Sequence, residues 1–204
     1  MNYSEYNSPE NWIGGYYELS IEFHPCGDDQ RINKALRSLD KSPFFTGLWR
    51  ERTDYQQSPA SLPIIIEENS VSPFYGALHI SDGKLLPCCI SVIRVPEESD
   101  WLDISIPLAS LELFYPFNYP LTKELNPWLS QVDELLINLA ETIFAQSPFD
   151  LAFVGEEITG ATDQESITSD FVEKCITILP KQLQEKLQLQ SNSKLLSNEL
   201  KLFY

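Results

Sequence analysis

His24, Cys26, Asp28 and Asp29 crowd together directly after an alternating apolar segment. Imidazole, thiol and carboxylate at that density could ligate zinc or pass a proton. A plainer reading stands beside this one and is favoured. Pro25-Cys26-Gly27 makes a turn, and Asp28 or Asp29 caps a helix by accepting a backbone N–H bond. The second candidate is Glu156-Glu157, which follows the nearly continuous apolar run Phe149 to Val154. Paired carboxylates at a strand end can bind a metal or share a proton. Gly155 would let a ligand approach the backbone closely. The competing reading is a solvated strand exit. Trp49, Arg50 and Arg52 form a basic-aromatic spot of the kind found in interface hot spots. Trp101 and Trp128, with Tyr115, Phe117 and Tyr119, could line a pocket or a binding surface, or else fill the core between helix and sheet.

Recognisable catalytic signatures are missing. The chain has no P-loop, no dinucleotide-binding glycine fingerprint, no Gly-x-Ser-x-Gly elbow and no His-Glu-x-x-His. Only two histidines occur, which excludes a histidine-rich metal centre, and neither Ser110 nor Thr159 has a histidine near it in sequence. No catalytic residue, metal-ligand set or cofactor is therefore assigned. Cys26, Cys88, Cys89 and Cys175 lack metal-type spacing and read as mostly buried, reduced thiols.

Charge is the strongest signal. Sixteen of the thirty acidic residues lie between Val95 and Glu173, where Lys123 is the only basic residue, so this window holds a net −15 of a total −16. Such a field repels nucleic-acid backbones, which need Lys and Arg to displace counterions, and it repels anionic membranes. It attracts a basic protein and speeds the encounter. Solubility alone would be a sufficient reason for the acidity. The N-terminus lacks the pattern of a signal peptide, and no run reaches the roughly 18 apolar residues of a membrane helix. A cytoplasmic location is expected.

These side chains must be positioned by a modest set of elements. Residues 1–13 read as a flexible lead-in and 14–204 as one α+β domain, with a hydrophobic fraction of 43%, enough for a core. From Tyr16 to His24, Tyr17, Leu19, Ile21 and Phe23 share one face and Tyr16, Glu18, Ser20, Glu22 and His24 the other, which is the pattern of a half-buried strand. Ile32, Ala35, Leu36 and Leu39 follow at helical spacing. Phe45 to Arg52 returns as a strand, and Leu62 to Glu67 could form a short edge strand. Asp82-Gly83 signals a hairpin between Tyr75–Ser81 and Lys84–Val95, and Trp101 to Leu108 completes a meander. Asn126 and Pro127 open an amphipathic helix through Ile143, Phe149 to Val154 is a buried strand, and Gly155 to Thr168 is an acidic loop. Asp170 and Glu173 then introduce a short helix that Pro180 ends, Lys181 to Gln190 is helical, and Leu200 to Tyr204 is a terminal strand or docked tail. The expected fold is a mainly antiparallel sheet of about five to seven strands with two or three helices packed on it.

Trp12-Ile13-Gly14-Gly15-Tyr16-Tyr17-Glu18-Leu19, Trp101-Leu102-Asp103 and Phe149 to Gly160 together resemble an uncharacterised family of acidic bacterial cytosolic proteins. In general pattern that family is similar to immunity proteins, which neutralise a toxin made by the same or a neighbouring cell. The resemblance carries no catalytic motif and implies binding rather than catalysis.

The leading expectation is thus a protein-binding, immunity-like module that holds a basic partner on an acidic surface. Its candidate contacts are Glu97, Glu98, Asp100, Glu134, Glu141, Glu156, Glu157 and Asp163, with Trp101 and Trp128 as aromatic anchors. The alternative is a small-molecule or metal-binding protein, or an enzyme without a known motif, with its site near Glu156 and Glu157. A self-associating protein is the third reading, and nothing in the sequence fixes an oligomeric state.

Overall fold

The period-two pattern from Tyr16 onward places a strand at the middle of the molecule. The structure, a computed structural model, describes residues 1–57, 59–80, 83–189 and 192–204. Among these residues lie nine strands: β1 (Tyr16–Phe23), β2 (Phe45–Trp49), β3 (Ser70–His79), β4 (Leu85–Arg94), β5 (Asp100–Pro107), β6 (Leu151–Glu156), β7 (Ile176–Leu179), β8 (Ser193–Leu195) and β9 (Lys201–Phe203). They form one open sheet in the order β2-β3-β4-β5-β1-β6-β7-β9-β8, with every neighbouring pair antiparallel. Six helices accompany it: α1 (Tyr3–Asn7), α2 (Asp29–Asp40), α3 (Leu108–Glu112), α4 (Leu129–Phe144), α5 (Ser169–Val172) and α6 (Lys181–Leu187). The α+β class agrees with expectation, but there are more strands than the five to seven anticipated and more helices than two or three. The added strands come from the C-terminal third, and the added helices are α1, ahead of β1, and α3, directly after β5. Ile176 to Leu179, expected as part of a helix, pairs with β6 and β9 instead. Thr168 caps the one-turn α5, and that helix stops short of Cys175.

One sheet face is the main core. Leu19, Ile21, Leu102, Ile104, Ile106, Ile90 and Val92 are fully buried against the apolar stripes of α2 and α4. α2 starts where the sequence placed it, because Asp28 Oδ1 accepts from the amides of Gln30 (3.0 Å) and Arg31 (3.1 Å). α4 starts later than expected, with Trp128 at its N-cap position. Asn126 is instead wholly buried and ties down the segment that carries Tyr115, Phe117 and Tyr119, exchanging bonds with the backbone N (2.8 Å) and O (2.7 Å) of Asn118. The segment from Leu62 to Glu67 joins no ladder. Asn33 holds it by donating to Ile64 O (2.9 Å) and accepting from Ile64 N (2.7 Å), which buries Ile64 and Ile66. Asp82 of the expected hairpin turn lies outside the described residues, but the strands on either side of it do pair.

The second face is covered in two places. The first thirteen residues, expected as a loose lead-in, form α1 and the 3-10 turn Pro9–Trp12. They bury Tyr6 against Trp49, Tyr55 and Ala77, and the Tyr6 hydroxyl donates to Gly76 O (3.0 Å). At the other side, the loop after β6, with α5 and α6, packs Ile158, Ile167, Val172 and Leu183 onto Leu151, Phe153 and Leu179. β1 is therefore buried on both faces, not half-buried as its alternation suggested. No helix among the described residues is long and apolar enough to cross a membrane.

Gly76 tests how tightly the β2–β3 end is closed. A Cβ there would run into the Phe45 ring. Gly76→Ala should lower unfolding stability by about 1–3 kcal/mol through overpacking, read from the urea midpoint. An unchanged midpoint would show that the contact yields freely.

Candidate functional site

Strand pairing aligns the polar side chains of the second face in rows. Glu18 of β1 stands opposite Ser105, Ser20 opposite Asp103, and Glu22 opposite Trp101. Glu18, Glu22 and Asp103 are buried, so each needs hydrogen-bond donors. Glu18 Oε1 accepts from the Ser105 hydroxyl (2.9 Å). Its Oε2 accepts from the amides of Ile158 (3.1 Å) and Thr159 (3.2 Å) and from the Thr159 hydroxyl (3.1 Å). Glu22 Oε2 accepts from Gln164 N (2.7 Å), and its Oε1 from the Ser99 hydroxyl (2.6 Å). Asp103 accepts from the Ser20 hydroxyl. Two strand carboxylates thereby clasp the loop after β6 onto the sheet.

The clasped loop forms one wall of a cleft. Its other wall is the turn between β4 and β5, which is held by Arg94. The Arg94 guanidinium donates to both oxygens of Asp100 (2.7 and 2.8 Å), to Asp29 (2.7 Å) and to Ile66 O (2.9 Å). Between the walls lies a cavity of about 570 Å³ lined by Glu22, His24, Glu97, Glu98, Trp101, Asp163 and Glu165 among others. No Lys or Arg is among the described residues lining it. The lysine ion pairs of the described residues, Lys123–Asp133 and Lys181–Glu199, involve no carboxylate of the cleft.

His24 Nδ1 lies 3.1 Å from Ser99 Oγ. Since that hydroxyl donates to Glu22, Nδ1 is the donor in this contact, and Nε2 faces Glu165 at 3.8 Å. Ser99 is buried and occupied by the carboxylate, so it is no exposed nucleophile. The row orients the imidazole toward the cleft. Burial pushes the Glu22 carboxyl up; the bonds from Ser99 and Gln164 oppose this, and Asp163 and Asp150 add to it. For Asp163 burial pushes the same way. The amides of Ser166 and Glu165, the Ser166 hydroxyl and nearby His24 outweigh it and leave the carboxyl below its ordinary value. Among the described residues, no group of three or more His, Cys, Asp or Glu is placed to hold a metal ion.

The expected contact residues divide among several places. Glu97, Glu98, Trp101 and Asp163 meet in the cleft. Asp100 lies beneath it, 1% exposed, with its oxygens taken by Arg94 and by Gly27 N (3.0 Å). Trp128 is a core residue, 8% exposed, stacked on Tyr115 with its indole N–H donating to Pro116 O (2.8 Å). Glu134 and Glu141 lie on α4, across the sheet, and Glu141 accepts from the Ser197 amide (2.7 Å) and hydroxyl (2.6 Å). Glu156 and Glu157 sit at the opposite end of β1 from the cleft. Glu156 accepts from the Tyr119 hydroxyl and Glu157 from Tyr16 N (2.7 Å).

The His24–Asp29 cluster also separates. Asp28 caps α2, Asp29 pairs with Arg94, and only His24 enters the cleft. Arg50 and Arg52 lie over Phe74 and Trp12, while Trp49 is buried. Sequence reasoning passed over Glu22, Ser99 and Glu165. The signal for Glu22 was its place in the polar alternation of β1. Ser99 and Glu165 carry no local signal. Comparisons with protein-family models, curated proteins and solved structures give no match to this chain.

Asp103 yields a test of the buried row. Burial, together with neighbouring Glu18, raises its carboxyl from 3.8 to about 7, although the Ser20 hydrogen bond pulls it down. The folded state binds this proton more tightly than the unfolded state does. Its stabilising contribution is therefore complete below about pH 4 and is lost as pH rises through about 7. Asp103→Asn stays neutral throughout. The urea midpoint of the variant relative to the wild type should rise between pH 5 and pH 8, whereas a constant difference would place the Asp103 carboxyl at its ordinary value.

Proposed function

We propose that this protein is an immunity-like binding module whose cleft, between the β4–β5 turn and the loop after β6, holds cationic side chains of a basic protein partner. One observation carries the reading: Glu22, Glu97, Glu98, Asp163 and Glu165 line a single cavity whose described lining residues include no lysine or arginine. A concave site with low-dielectric walls focuses the field of such a cluster and steers a positive partner inward. Glu97 and Glu98 are exposed at the rim and make the first contact, and Trp101 offers an aromatic surface beside them. The wider acidity of residues 95–173 adds long-range attraction. The rival site at Glu156 and Glu157 lacks comparable support, because the Tyr119 hydroxyl and the Tyr16 amide occupy those carboxylates.

The cleft reading separates local recognition from bulk acidity. Glu97→Gln/Glu98→Gln and Glu134→Gln/Glu141→Gln remove equal charge, in the cleft and on α4 respectively. Immobilised wild-type protein should retain a basic protein from native lysate at low salt and release it as ionic strength rises through several tenths molar, where screening falls to a few ångströms. The cleft pair should lose that protein and the α4 pair should keep it. Equal retention by all three proteins would refute the cleft reading.

A further inference from the structure

The two covers of the second sheet face leave a gap. Paired residues across β3, β4, β5 and β1 share a face, and consecutive strands stand about 4.8 Å apart. One row runs Val71, Ile93, Trp101, Glu22, and the next runs Pro73, Ser91, Asp103, Ser20. The N-terminal segment covers the end near Ala77, and the loop after β6 covers the β1 side. Val71 remains 60% exposed, Pro73 is exposed, and Ser91, Ile93 and Trp101 are half-buried. This strip begins at Trp101, which also lines the cleft.

Resting on the cleft reading above, we propose that the partner's footprint leaves the cleft along Trp101, Ile93 and Val71, and that it presents arginine beside apolar side chains. Charge complementarity selects this occupant. A guanidinium can lie against the Trp101 indole while its N–H groups reach the carboxylates of the cleft, a pairing of stacking and forked donation that an ammonium does not match. Apolar neighbours of that arginine then cover the Ile93–Val71 strip. A second copy of this chain is a poor occupant, since each copy carries a net −16 and would bring acid against acid.

Synthetic peptides test the footprint separately from the cleft: acetylated, amidated Val-Arg-Val-Arg-Val, its Gly-Arg-Gly-Arg-Gly counterpart, and Val-Lys-Val-Lys-Val. The Val-Arg peptide should bind wild-type protein about tenfold more tightly than the Gly-Arg peptide. It should also shift the backbone amide resonances of residues 71, 93 and 101. Val71→Ser/Ile93→Thr should remove most of that advantage and leave Gly-Arg binding unchanged, while Glu97→Gln/Glu98→Gln should weaken both peptides. Equal binding of the Val-Arg and Gly-Arg peptides, with unshifted resonances at 71 and 93, would overturn the footprint and leave the cleft standing. Val-Lys binding as tight as Val-Arg would overturn the choice of arginine. Failure of all three peptides to bind at low salt would remove the cleft reading as well.

Discussion

Glu18 and Glu22 are the constraint on which the rest of the second face depends. A central strand flanked by β5 and β6 has no free edge, and its polar face must be solvated or satisfied by protein. Here the loop after β6 supplies amide donors to both carboxylates and the Thr159 hydroxyl to Glu18. Each charge-assisted bond is worth about 1.5–3 kcal/mol, yet burying a carboxylate costs several kcal/mol. The donors offset that cost. They also fix the path of the loop: any other path that still covered the strand would leave two buried acids without donors. That path puts Asp163 and Glu165 opposite Glu97 and Glu98.

The acidic residues consequently do two kinds of work. Glu18, Glu22, Asp100 and Asp103 are internal and are satisfied by specific donors. Arg94 is the counterweight to Asp100. Its bidentate pair with that residue, and its reach to Asp29 and Ile66, join the β4–β5 turn to α2 and to the segment after Pro63. Glu97, Glu98 and Glu165 are left exposed at the cleft. Net charge alone does not distinguish these groups. Burial does.

Much of the scaffold was legible because its signals are local. The apolar stripe and aspartate cap of α2, the alternation of β1 and the apolar run of β6 each lead to the observed element. The C-terminal strands were harder. Ile176 to Leu179 is too short for a period to show, and β9 gains its partner only by returning beside β7. The N-terminal segment misled for a related reason: its polar composition hides one residue, Tyr6, whose burial depends on Trp49 and Tyr55 far along the chain. The candidate cleft was only partly legible. Charge and aromaticity single out Glu97, Glu98, Trp101 and Asp163, which the structure brings to one cavity. Glu22 was masked by the assumption that a polar strand face meets water. Asp100 and Trp128 were overvalued because sequence does not reveal that a carboxylate already has its arginine or an indole its stacking partner.

The clasp is the central claim, and amide hydrogen exchange of the free protein reaches it most directly. The account predicts that Ile158, Thr159 and Gln164 exchange slowly in the wild type, and that Gln164 becomes fast in Glu22→Ala while Ile158 and Thr159 stay slow. Exchange of all three wild-type amides at the rate of an unstructured peptide would contradict it, because the loop would then form no wall and the acids around it no cleft.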